Sequence, residues 1–379
     1  MARKAIVVGG GIGGLAAARA LTRSGWAVEV LEKAKAFGEV GAGLSLWPNG
    51  IRALDELGLG DAVRERAMAD TQAGIRDVSG RWLSRTDTEE LTRRFGPLVV
   101  VHRAELLEIM RDAVDADLLH LDTEVKDVRV VGEQVEVVHS HGVSRADLVV
   151  GADGIRSTVR RAIWGEVQPK YAGYTTWRVV VRPERPLTAG GETWGRGERI
   201  GLGPLPDGRV YLFGVASVPA GQTGPDGELA ELKRRFGDWH EPIPELLAAA
   251  EEDAILRHDI FELPALDTFV STRVALLGDA AHAMTPNMGQ GANQALEDAV
   301  TLAALLDTHA GIGAALAAYD KQRRPRTRQI AARSHRIGAV AHWSFPPAAA
   351  LRDLIVRLTP AKALLDGLAP VLEWEPPQR

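Results

Sequence analysis

The feature that most constrains this chain lies within its first 14 residues. KAIVV over Lys4–Val8 is the pattern of a strand buried on both faces, and it runs directly into Gly9-Gly10-Gly11-Ile12-Gly13-Gly14. An alanine-rich helix is expected through Ser24, with Gly25 ending it and a second strand following over Ala27–Leu31. Gly9, Gly11 and Gly14 fit G-x-G-x-x-G. The first glycine allows the tight turn, the second lets a pyrophosphate approach the backbone, and the third lets helix and strand pack closely. The helix start then offers unpaired N–H groups and a partial positive charge to phosphates. Glu32 closes the second strand, where a carboxylate can accept both hydrogen bonds of an adenosine ribose. Strand, turn, helix, strand and acid together predict a dinucleotide site. The acid disfavours a 2′-phosphate, so FAD or NAD fits better than NADP.

Bulk properties exclude several other classes. A length of 379 residues suggests two domains, or one with a large insertion, and 45% hydrophobic with 25% charged residues is ordinary for a globular protein. There is no cysteine, which removes disulfides, thiolate metal sites and cysteine nucleophiles. A net charge of -5 supplies no general field for nucleic acid or an anionic membrane. The basic run RRPRTRQIAARSHR (323–336) lacks interleaved aromatics and reads as a solvated helix face. MARKAIVVGGGIGG has too short an apolar run for a signal peptide, and AVTLAALLD is too short to span a bilayer. A soluble cytoplasmic protein, monomer or homodimer, is expected.

Farther along, a helix is expected after Trp47-Pro48-Asn49-Gly50, closed by Gly58, and another after Arg103. Glu124–Val131 and Gln134–His139 read as paired strands, and Asp147–Val150 as a short buried one that ends in Gly151-Ala152-Asp153-Gly154. From about Tyr171 the texture becomes β-rich: Arg178–Val181, Glu198–Leu202 and Arg209–Ala216 look antiparallel, with Pro206-Asp207-Gly208 as a turn. Residues 228–250 read as helical, RVALLGDA returns to the buried parallel type, and helices dominate to the end, including an amphipathic one over Ala348–Glu373. The fold class expected is α/β, a Rossmann-like dinucleotide domain with an inserted antiparallel-sheet substrate domain and C-terminal helices. The boundaries are 1–170 and 271–340 for the first domain, 171–270 for the insertion and 341–379 for a helical segment.

A second glycine-rich segment sharpens the function. GDAAHAMTPNMGQGANQALEDA (278–299) follows the strand Val274–Leu277, so Asp279 sits at a carboxyl strand end, where open α/β sheets bind ligands. Met288-Gly289-Gln290-Gly291-Ala292-Asn293 opens another helix and hence another anion-stabilising end. Two such ends suit one long dinucleotide with a second electron-poor or anionic region, as in the ring of a flavin. His282 has no Cys and no second His at ligand spacing, so no metal is expected there; packing or hydrogen bonding near the flavin is.

GGGIGG with Glu32, then GADGIRSTVRR, then GDAAHAMTPNMGQGANQALEDA together resemble the single-component FAD-dependent aromatic hydroxylases, near salicylate hydroxylase and bacterial urate hydroxylase. The match covers nearly the whole chain. It implies that Gly9, Gly11, Gly14, Glu32, Lys33, Ser45, Arg103, Val125 (through its backbone) and Asp153 help bind FAD. It further implies that Asp279 binds the ribityl hydroxyls and that Gly289, Gly291, Ala292 and Asn293 hold the pyrimidine edge of the ring, with Pro286 beside it. The same resemblance implies that NADH or NADPH reduces FAD as a transient co-substrate, that O2 adds to give a C4a-hydroperoxyflavin, and that an aromatic or heteroaromatic ring takes the distal oxygen. Asp153-Gly154-x-x-Ser157-x-x-Arg160 resembles the family signature that serves both FAD and the pyridine nucleotide; on its own it could be a turn capping a helix.

Substrate contacts are expected from the inserted sheet. Arg199 and Tyr211 match substrate-contacting positions of bacterial urate hydroxylase, while Thr176 stands where that enzyme's pattern has Asn and GQGANQ replaces GQGGCA. A urate-type purine hydroxylase is therefore an alternative rather than the first reading. Tyr174 and Trp177 could line an aromatic pocket or belong to the core. An epoxidase-like or halogenase-like flavoenzyme stands further off; the halogenase W-x-W-x-I-P pattern is absent from all nine Trp. A non-enzymatic nucleotide module would have no use for the segment at 286–293, and a simple NAD-dependent dehydrogenase would carry no flavin, which the absorbance at about 450 nm separates.

Overall fold

The computed structural model describes residues 3–38, 43–69, 74–187 and 189–378. Five parallel strands form one sheet in the order Val274–Leu276, Leu148–Gly151, Lys4–Val8, Ala27–Leu31 and Leu119–His120. Ile6, Val7, Leu148, Val149, Val274 and Leu276 are all fully buried, which is why these strands read as continuous apolar runs. The order has a direct consequence for function. Gly9, Ala152-Asp153, Gly278-Asp279 and Glu32 leave the carboxyl ends of four neighbouring strands, although 270 residues separate the first glycine turn from Asp279.

A seven-stranded sheet stands beside it, in the order Leu256–Glu262, Lys170–Val181, Val210–Ala216, Glu198–Pro204, Gly191–Trp194, Gly74–Asp77 and Trp82–Arg85. All its pairings are antiparallel except that of Gly191–Trp194 with Gly74–Asp77. Two of its strands thus come from residues 74–85, so a boundary at residue 171 does not follow the sheet. Pairing across long sequence separation leaves no mark in the local pattern. Trp177, Val179, Ile200 and Leu212 pack one face against Leu232, Phe236 and Leu246. These last belong to the helices Glu228–Phe236 and Ile243–Ala248, into which the expected 228–250 stretch is divided.

Pro48 starts the helix Pro48–Glu56, a position where its missing N–H costs nothing. Gly291–Thr308 is buried almost all round, and its polar residues Asn293, Gln294, Glu297 and Asp298 are buried with the apolar ones. Gln294, Glu297 and Asp298 find partners on the 30-residue helix Ile312–Ala341. Arg323 donates from Nε to Asp298 Oδ1 (2.6 Å) and also pairs with Glu297, and Arg326 donates to Glu297 (2.7 and 2.9 Å). The run 323–336 is therefore helical but not a solvated face, because several of its arginines turn inward. Arg333, for example, donates to the Gly367 carbonyl. The C-terminal stretch is two helices, Pro346–Leu358 and Ala361–Leu372, broken at Thr359-Pro360, where a proline disfavours helical backbone in the residue before it. Among the described residues no helix is long and apolar enough to cross a membrane.

Removing Arg323 would strip the buried Glu297 and Asp298 of the guanidinium they share, leaving Arg326 on the one and His282 on the other. Arg323→Met is expected to cost about 3–5 kcal/mol in urea-induced unfolding of the flavin-loaded protein. Burial raises the Asp298 carboxyl, but His282 and Arg323 outweigh it and hold it at about 2. Since unfolded aspartate titrates near about 4, this group stabilises the fold above that pH and its contribution is lost as pH falls toward 2. Unfolding curves of Asp298→Asn between those limits should show a shallower acid limb than the parent.

Candidate active site

The adenosine end is built from backbone. Gly9 has φ +104°, and a Cβ there would come within 2.5 Å of the Ala152 carbonyl oxygen. A Cβ on Gly14 would sit 1.8 Å from the Gly9 carbonyl oxygen, so helix Ile12–Arg23 can lie against its strand only with glycine there. A Cβ on Gly11 would meet open space, which leaves the helix start accessible to a ligand. Gly9, Gly11, Glu32, Lys33, Val125 and Asp153 line one cavity of about 160 Å³. Gly14 stands behind it. Glu32 accepts from the amides of Gly10 (2.6 Å) and Ala34 (2.8 Å), which orients its carboxylate beside that cavity.

The middle motif is a locked turn. Asp153 accepts from Ser157 Oγ (2.5 Å) and from the amides of Thr158 (2.7 Å) and Val159 (3.1 Å), while Ser157 caps the helix through the Arg160 amide. The buried Arg160 guanidinium then donates to the carbonyls of Ile155 (2.6 Å) and Ala280 (2.8 Å). The capping reading and the binding reading are not exclusive. The turn caps its helix, lines the same cavity, and ties the Leu148–Gly151 strand end to the segment that carries Asp279.

At the far end Gly278 has φ +56° and donates its amide to Asp298 Oδ2 (2.9 Å). Asp279 is open to solvent inside the cleft yet walled by protein; burial pushes its carboxyl above the usual range, and His282 and Arg103 oppose the shift. Arg103 opens the helix Arg103–Asp112 and lies within electrostatic reach of both Asp279 and Arg178. Gly289 is left-handed (φ +59°), and a Cβ on Gly291 would meet open space. The helix Gly291–Thr308 therefore begins with free N–H groups, Ala292 among them, facing the cleft. Asn293 is buried, and its side chain is engaged by protein: it accepts from the Trp47 amide (3.0 Å) and donates to the carbonyls of Ser45 (3.2 Å) and Gly289 (2.8 Å). It and Ser45 are brought together as the pins of this loop, so only the Asn293 backbone is left for a ring. His282 lies buried with Nε2 2.6 Å from Asp298. These donors fit FAD: two open helix starts for the pyrophosphate and the pyrimidine edge, a carboxylate between them, and an acid at the ribose end.

The substrate side is less uniform. Strand alternation puts Arg178, Tyr211, Phe213 and Arg199 on the face opposite the helix-covered one. Tyr211 is half-buried, and its ring lies so near Gly43 that a Cβ there would come within 2.5 Å of it. Arg199 is 2% exposed, donates to Glu192 Oε2 (3.0 Å) and pairs with Asn287, the neighbour of Pro286. It braces the ring-end loop from behind. Thr176 is buried and its hydroxyl donates to the Gly214 carbonyl (3.0 Å), so it does not reach the cleft. Trp177 is core, donating Nε1 to Glu228. Tyr174 is buried too, stacked on His342 at 4.4 Å and accepting from Asn287 Nδ2 (2.9 Å). Burial and the Arg199 charge push His342 down to about 3, so it is neutral at pH 7.

Sequence reasoning missed Arg178 and His258 as cleft groups. Burial lowers the His258 imidazole, and the charges of Arg178 and Arg103 lower it further. The period-two alternation in WRVVV was a usable signal for Arg178; nothing local marked His258.

Comparison with known proteins gives the class of protein to which this chain belongs, a flavin-dependent monooxygenase. The sequence pattern of a family described as "FAD binding domain" matches residues 3–334, and the chain belongs to that family. It is 38% identical over 359 residues to the aurachin C monooxygenase/isomerase of Stigmatella aurantiaca, covering 93% of each chain. It is 36% identical to the FAD-dependent urate hydroxylase of Klebsiella pneumoniae, over 89% of this chain and 90% of that one. The crystal structure of Klebsiella pneumoniae HpxO with FAD and uric acid superposes with a TM-score of 0.92 at 32% identity, covering 98% and 97% of the two chains. These relatives define a class of FAD-dependent aromatic and heteroaromatic monooxygenases, and this chain is one of them.

The two glycines make a discriminating pair. Gly11→Ala should fold normally and lose bound flavin, whereas Gly14→Ala should disrupt the fold itself. Flavin absorbance per protein and the melting temperature separate the two outcomes.

Proposed function

We propose that this enzyme hydroxylates an electron-rich aromatic or heteroaromatic small molecule, with NADH or NADPH as reductant and O2 as the oxygen source. The observation that carries the reading is the meeting of two surfaces. The mixed sheet turns Arg178 and Tyr211 toward the cleft whose other wall holds Asp279 and the open start of helix Gly291–Thr308. FAD, when bound, supplies the oxygen-transfer chemistry, and the protein's own part is binding, orientation and exclusion of water. Asp279 would hold the sugar-alcohol chain, and the N–H groups at Gly291–Asn293 would stabilise negative charge on the ring's pyrimidine edge. Pro286, braced through Asn287 by Arg199, would lie beside the ring. Tyr211 offers an aromatic face to the substrate, and Arg178 favours an ionised, phenolate-like form of it.

A urate-type purine hydroxylase is the second reading. It is supported by the relatives that act on urate, and opposed by Arg199, whose Nη1 and Nη2 are both engaged by Glu192 and Asn287. A cytoplasmic place of action belongs to the same proposal, since the reduced nicotinamide nucleotides are held inside cells. Monomer or homodimer is the assembly we infer.

The deciding experiment follows NADH and NADPH oxidation by the yellow protein over urate, phenols, hydroxybenzoates and hydroxylated N-heteroaromatics, with product identified by mass. Stimulated oxidation with one added oxygen in the product is expected; no stimulation by any aromatic compound would overturn the reading. Asp279→Ala should retain less FAD after gel filtration, and unchanged flavin content would remove the role given to that carboxylate.

A further inference from the structure

A second cavity, of about 410 Å³, does not share the lining of the one at the first glycine turn. It lies between residues 262–269, the start of the strand Lys170–Val181, and one face of helix Ile312–Ala341. Its floor is apolar, made by Leu263, Pro264, Leu266, Phe269 and Ala331. Its wall carries four cations, Lys170, Arg324, Arg328 and Arg336, together with the His335 imidazole. The one acid at the rim, Glu262, stands 3.0 Å from His335, and Arg324 is held by Asp320 at 3.0 Å. Lys170 and Arg328 are exposed and form no ion pair among the described residues. At the cavity edge stands His282, 6% exposed, with Nε2 on Asp298 and a buried Nδ1 that has no partner.

An apolar floor under an excess of positive charge selects a particular chemistry. Sites for small molecules are mostly apolar with a few placed polar groups, and this volume is within their usual range. We propose that the cavity binds a small amphipathic anion, a flat apolar body carrying one carboxylate, as a site separate from the catalytic cleft. The body lies on Phe269, Leu266 and Ala331. The carboxylate meets Arg328, whose planar fork matches it in two parallel hydrogen bonds, with Lys170 adding charge from the opposite rim. The occupant touches His282, which grips Asp298; Asp298 in turn holds the Gly278 amide that presents Asp279 to the flavin. A ligand here is thus placed to bear on the flavin clamp from outside, as an effector would.

Calorimetric titration of 2-naphthoate into the flavin-loaded protein tests this. One binding event per chain is expected that Arg328→Ala weakens about tenfold or more, and that the neutral 2-naphthalenemethanol reproduces at least about tenfold more weakly. Ala331→Trp, which fills the cavity without altering its charge, should abolish that event while flavin content and melting temperature stay unchanged. Affinity that survives both substitutions would put the anion elsewhere and overturn the proposal. Equal binding of the alcohol would overturn the anion class, and absence of any heat at millimolar naphthoate would overturn the site itself. None of these readings depends on the enzyme's substrate, so the hydroxylase reading can fail while this one stands.

Discussion

The structure depends on one buried ionic cluster. Asp298 accepts from Arg323, from His282 and from the Gly278 amide; Glu297 accepts from Arg323, Arg326, Asn49 and Gln294. Four segments meet there: the helix Pro48–Glu56, the turn at 278–282, the helix Gly291–Thr308 and the helix Ile312–Ala341. Taking these charges out of water is costly, and an apolar cluster of equal volume would hold the segments together at least as well. What the ionic version adds is position. A carboxylate with three donors has one place to be, so the Gly278 amide, and with it Asp279, is set relative to the helix Gly291–Thr308, which packs along Ile12–Arg23. The turn that carries Asp279 inherits its geometry from the ionic core behind it.

The glycine turns were legible because their constraint is local. Gly9 and Gly278 adopt backbone angles that other residues avoid, Gly14 meets a carbonyl at a distance no side chain permits, and each leaves a glycine in the sequence at a fixed offset from a strand. The strand Lys4–Val8 and its neighbours were legible for a related reason, since burial on both faces demands a run without polar interruptions. What escaped was whatever depends on pairing across long separations. Residues 74–85 carry no sign that they will extend a sheet made mainly from residues 170–262. Arg323 looks like any basic residue of a helix until the carboxylates of residues 297 and 298 are placed under it. The break at Thr359-Pro360 was readable from the proline alone, but the alternation of apolar residues on either side outweighed it.

The candidate site divides along the same line, and the division explains why the cofactor could be read while the substrate could not. The cofactor's end of the cleft is assembled from amides and glycines, so its requirements are written as residue types that cannot be exchanged. The substrate's end is assembled from side chains at alternate positions of the mixed sheet, where almost any residue keeps the strand intact. Thr176 and Arg199 show how little a residue's type says there: both are polar and stand on the cleft-facing side by alternation, yet the Gly214 carbonyl holds one and Glu192 with Asn287 holds the other. Arg178 sits on that same side two residues from Thr176, and its charge reaches Tyr211, His258 and Arg103. A fold of this kind can change substrates by exchanging those alternate residues without disturbing a backbone amide that the flavin uses. Relatives 38% and 36% identical to this chain are named for compounds as different as aurachin C and urate, which is what that separation of roles would produce.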